Sequence, residues 1–91
     1  MPKRYPVEIT IIDVEGRCSR GFQKGQSWSY TGLTPGGMCM GGFSAVASAM
    51  QIYFYGGEPP GVSASNPDVC VRRCPDPHGG VVYEVRRVRQ E

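Results

Sequence analysis

Residues 38–57, MCMGGFSAVASAMQIYFYGG, hold the only long apolar pattern with a helical period. Phe43, Val46, Ala47, Met50, Tyr53 and Phe54 recur at i, i+3, i+4 and i+7, which predicts one buried helical face. Ser44, Ser48, Gln51 and Tyr55 take the opposite side at the same spacing. Gly41 and Gly42 precede the periodic run, and Gly56 and Gly57 are expected to end it. The polar side carries no charge, so this element is expected to be the core helix, with protein on most of its sides.

Elsewhere the period is two. Residues 5–15 alternate as a strand with Val7, Ile9 and Ile11 on one side, while Ile12 and Val14 predict cover on the other side at its far end. Residues 26–31, with Trp28 and Tyr30 in alternation, predict a second strand. Residues 68–73 predict a third with Val69 and Val71 inward. Residues 81–88 predict a fourth, with Val81, Tyr83 and Val85 on one face and Val82, Glu84 and Arg86 on the other. Glycines break the chain at 16–21 and 32–37, residues 58–67 form a Pro/Ser/Gly-rich connection laid over the surface, and residues 74–80 form a rigid turn. No repeat interrupts this order. One 91-residue domain in ββαββ order, its last two strands a hairpin, predicts an α+β fold. The expected form is a small antiparallel or mixed sheet of about four strands packed on one central helix.

Charge narrows the partners. Ten Lys and Arg against eight Asp and Glu leave a net charge of +2, which argues neither for nor against a polyanionic partner. The basic residues Lys3, Arg4, Arg72, Arg73, Arg86, Arg87 and Arg89 are read as solvated strand edges, which charge protects from aggregation, rather than as a nucleic-acid surface. Residues 25–57 carry no charge at all, and so small a monomer has too little interior to hide them. That predicts a homo-oligomer. Glu8 and Asp13 interrupt the apolar run after the first basic residues, so no secretory signal is expected. No segment reaches the roughly 18–20 apolar residues of a membrane span. The expected setting is the reducing cytoplasm, where four cysteines read as thiols, metal ligands or catalytic groups before they read as disulfides.

The motifs in order are Gly16-x-Cys18-x-x-Gly21, Gly25, a helix headed by Cys39, Tyr55-Gly56-Gly57, Cys74-Pro75-Asp76-Pro77 and a closing Val-Val-Tyr-Glu-Val-Arg strand. The pattern resembles that of the TIGR04076 family of short bacterial and archaeal proteins, across nearly the whole chain. The resemblance implies a single small domain whose motif cysteines fall at Cys18, Cys39 and Cys74. It implies no particular activity. Gln26 replaces the usual acidic residue of that family, and Met-Cys-Met-Gly-Gly replaces Cys-Pro at the helix head.

Read for their own chemistry, Cys18, Cys39 and Cys74 stand at three separate turns or element ends, as metal ligands do in small folds. Zinc takes four ligands, with Zn–S near about 2.3 Å, so the fourth would come from His78, Asp76 or Cys70, or stay open. An iron–sulfur cluster is the other metal reading. Cys70 is the weakest candidate, since an extended chain puts it about 13 Å from Cys74, and it is expected to face the core or a neighbour. Cys39 is the candidate catalytic thiol, because free N–H groups at a helix head favour an anionic sulfur. Glycines at 36, 37, 41 and 42 leave room for a small-molecule ligand to reach it. The alternative is that all these cysteines are small core residues in a non-catalytic oligomeric interaction module. Asp76, between two prolines, is expected to cap its own turn, and Trp28, Tyr30, Tyr53 and Tyr55 to form core or a small apolar pocket. There is no Cys-x-x-Cys, Ser-His-Asp set, phosphate loop or His pair, so enzyme and binding module both stay open.

Overall fold

Alternation along the first strand, β1 (Val7–Gly16), puts Val7, Ile9 and Ile11 on one face. In the computed structural model, which describes residues 4–16, 21–75 and 79–89, all three are fully buried. β1 pairs with β2 (Ser27–Tyr30) on one side and with β4 (Gly79–Arg87) on the other, and β3 (Val69–Arg73) pairs with β4. The result is a four-stranded, fully antiparallel sheet in the order β2-β1-β4-β3, with one helix, α1 (Met40–Phe54), packed on it. This is an α+β fold in ββαββ order, and β3 and β4 form the expected hairpin.

The core lies between one sheet face and one helix face. Val46, Ala49, Met50 and Tyr53 of α1 meet Val7, Ile9, Ile11, Val81, Tyr83 and Val85 of the two central strands. Ser44, Ser48, Gln51 and Tyr55 are exposed, so protein covers one side of the helix rather than most of it. The helix starts earlier than its glycines suggest: Gly41 and Gly42 lie inside the first turn, and Gly42 is buried. The glycine stop at the other end holds. Gly56 adopts φ +94° and donates to the Tyr53 carbonyl, while Gly57 donates to Ile52, the paired bonds of a left-handed C-terminal cap.

Two strand faces differ from expectation. The register of β1 on β4 shifts between Ile11 and Asp13, so Ile12 is an extra residue and the alternation restarts. Val14 then comes opposite Val81 and packs against the same core, not against a second layer. In β3 the inward residue is Cys70, which is 1% exposed, while Val71 is 45% exposed. Pairing decides this: Cys70 lies opposite the buried Val85. The connection after α1 runs along the free edge of β3, where Val62 bridges Cys70 and the Ser63 N–H donates to the Val69 carbonyl at 2.8 Å. No helix among the described residues is long and apolar enough to cross a membrane.

Candidate functional site

The head of α1 is built around its neighbours' need for space. Cys39 is the N-cap, in an extended conformation, and its carbonyl accepts the Phe43 N–H at 2.9 Å. Its sulfur makes no capping bond, and no acidic residue occupies the first turn. Cys74 follows β3, and its N–H donates to the Val81 carbonyl at 2.9 Å. That bond turns the side chain toward the helix. A methyl group placed on Gly41 would stand 3.5 Å from Cys74 Sγ, and one placed on Gly80 would stand 3.0 Å from Cys74 Cβ. Gly80 lets the half-buried Cys74 fit between the start of β4 and the first turn of the helix that Cys39 caps, where Gly41 leaves room for ordinary contact.

Aromatic rings support this region. A methyl on Gly42 would overlap the Tyr83 hydroxyl, so that ring lies directly against the helix backbone. Trp28 stands 6.3 Å from Tyr83 between ring centroids, and Phe22 meets Trp28 edge-on at 5.6 Å. Phe22, Gly37, Met38, Cys39 and Met40 line a cleft of about 330 Å³. Of the rings expected in a pocket, Trp28 alone is near this one. Tyr30 packs on Phe54, which in turn meets Tyr55, and Tyr53 points to the far end of the sheet. Phe22 and Tyr83 were legible as apolar residues, but only the fold brings them to the helix head.

Cys70 stands apart. It is buried against the Tyr53 hydroxyl, and burial pushes its thiol up from its ordinary value. Tyr53 is likewise raised, chiefly by burial, and donates its hydroxyl to the Pro67 carbonyl at 3.0 Å. Cys18, Asp76 and His78 lie outside the described residues. Among the described residues, no three His, Cys, Asp or Glu side chains are grouped to hold a metal ion.

A polar cluster that sequence reasoning missed sits at the opposite end of the helix. Arg87 is not a solvated edge residue: it is 7% exposed, on the core face of β4. Its guanidinium lies over the rings of Tyr5 and Tyr53, at 5.2 and 5.0 Å to their centroids. It donates to Asp68 Oδ1 through Nε and Nη2, at 3.0 and 2.7 Å, and to the Gly57 carbonyl through Nη1. Arg89 donates to the same carboxylate at 2.6 Å. Hydrogen bonding from Arg89 first, and then from Arg87, holds the Asp68 carboxyl below the usual range against the opposing effect of burial. The cluster is satisfied internally, and it ties the connection after α1 to the last strand.

No family model, no curated protein and no solved structure matches this chain.

Proposed function

We propose that the domain gathers cysteine sulfurs at the head of α1 for metal binding or thiolate chemistry, with Cys39 and Cys74 at its centre and Cys18 and His78 as further ligands. The observation that carries this reading is the seat of the Cys74 sulfur against Gly41, in the first turn of the helix that Cys39 caps. Two described backbone positions support the wider set. Gly16, two residues before Cys18, pairs with Gly79, the residue after His78. Zinc and an iron–sulfur cluster are the metals the donor types suit, and free thiols at Cys39, Cys70 and Cys74 fit a reducing cytoplasm. The likeness to the TIGR04076 family belongs to the same proposal. Elemental analysis and an absorption spectrum of untagged protein purified anaerobically should show about one metal per chain. A metal-free protein in which the short thiol cross-linker dibromobimane also fails to join Cys39 to Cys74 would refute the reading.

A second reading rests on a different observation. Leu33 and Tyr55, both within the charge-free residues 25–57, are 83% and 61% exposed. Large side chains left exposed within this uncharged stretch support a homo-oligomer, and if the cysteines only pack, assembly is the function. Light scattering at micromolar concentration should give a mass above 9.9 kDa, the mass of one chain. The monomer mass would remove this reading.

A further inference from the structure

We propose that the metal taken at the head of α1 is a soft monovalent ion, Cu(I), held by sulfur from both cysteines and methionines. The inference rests on the cysteine reading above and names its ligand. Met38, Cys39 and Met40 line one cleft, and Cys74 Sγ lies against Gly41 in the adjoining turn. Four sulfur-bearing residues thus meet at one helix end, with Met38 also packed on the edge of the core. Their type decides the ion. Thiolates serve zinc and Cu(I) alike, but thioether sulfur is a donor for Cu(I) and is not among the usual ligands of zinc. The described residues lining the cleft are all uncharged.

Met40 has the clearest bearing on this. It is 78% exposed, so it adds nothing to the core, yet it stands beside Cys39 on the rim of the cleft. Its three rotatable bonds let the sulfur reach over a bound ion without moving the helix. Each cysteine that ligates releases its thiol proton to solvent, and the copper stays Cu(I), so nothing is oxidised or reduced. Phe22, packed edge-on against Trp28, gives the cleft one apolar wall.

The test is anaerobic titration with Cu(I) in competition with bicinchoninate, and a parallel titration with Zn(II). Wild type, Met38→Leu/Met40→Leu and Cys39→Ser/Cys74→Ser are compared, with circular dichroism to check folding. Leucine conserves the methionine volume, so the first variant keeps the fold. Wild type should take one Cu(I) per chain. Loss of even an outer-shell partner weakens metal sites by about 10–100-fold, so the methionine variant should lose at least about tenfold for Cu(I) and nothing for Zn(II). The cysteine variant should lose both metals. Unchanged Cu(I) affinity in the methionine variant would overturn this inference and leave the cysteine reading standing. Absence of binding of either metal to wild type would overturn this inference and the metal part of the earlier reading together.

Discussion

Alanine at Gly41 and at Gly42 should change stability in opposite directions, although the two positions are neighbours in one helical turn. In open space, either substitution gains up to about 1 kcal/mol, from helix propensity and from a less flexible unfolded chain. At Gly41 the new methyl meets Cys74 Sγ at 3.5 Å and Pro75 Cδ at 3.9 Å, which is ordinary contact. The variant should therefore be more stable by about 0.5 kcal/mol, the lower part of that range because the site is in the first turn. At Gly42 the methyl overlaps the Tyr83 hydroxyl and comes to 2.9 Å from its Cζ. Tyr83 is 1% exposed in the middle of β4, held between Ile11 of β1 and Arg72 of β3. Its ring cannot retreat without opening the core. Overpacking of this kind costs about 1–3 kcal/mol, and the hydroxyl overlap places this site near the top of that range. The net loss should be about 2 kcal/mol after the propensity gain. With a urea slope of about 1 kcal/mol/M, the Gly42→Ala midpoint should fall by about 2 M and the Gly41→Ala midpoint rise by about 0.5 M. Tyr83→Phe in the Gly42→Ala background removes the nearest atom and should recover about 1 kcal/mol, read from a double-mutant cycle that cancels whatever the hydroxyl contributes by itself. Equal shifts of the same sign at both glycines, or no coupling with Tyr83, would show that β4 does not press on the helix head.

The Asp68 carboxyl is held low in the folded state, so its contribution is fully present above about pH 4 and is lost as pH falls through the folded value. Asp68→Asn leaves the buried Arg87 without its counter-charge and should destabilise by about 3 kcal/mol at neutral pH, mostly through Arg87, because Arg89 is solvated. Stability measured from pH 2 to 7 should then fall less steeply with acid in the variant, and parallel acid limbs would refute the assignment. Competitive alkylation of metal-free folded protein, read by mass spectrometry, should label Cys39 and Cys74 well before Cys70, which is buried with its thiol raised by that burial. A Cys39 slower than Cys70 would end the thiolate reading.

Element types and their order were decided by the sequence itself, because they rest on short-range spacing. A period near 3.6 from Phe43 to Phe54 and a period of two in residues 7–11 and 81–86 act within each segment. The glycine stop after α1 is equally local. What the sequence left open were choices made by pairing. In β3, Cys70 and its two valine neighbours are all able to face a core, and only the register against Val85 turns the cysteine inward. The bulge at Ile12 restarts the alternation and returns Val14 to the core, which no count of apolar residues along β1 reveals. Arg87 reads as a surface charge until Asp68, 19 residues away, and the rings of Tyr5 and Tyr53 are assembled around it. Desolvating a guanidinium is tolerable only where such partners already stand, and that is a property of the tertiary fold. The cysteines follow the same division. Their places at element ends were visible in the chain, but the seating of Cys74 against Gly41 depends on the β3–β4 hairpin and on Gly80, where a side chain would crowd Cys74.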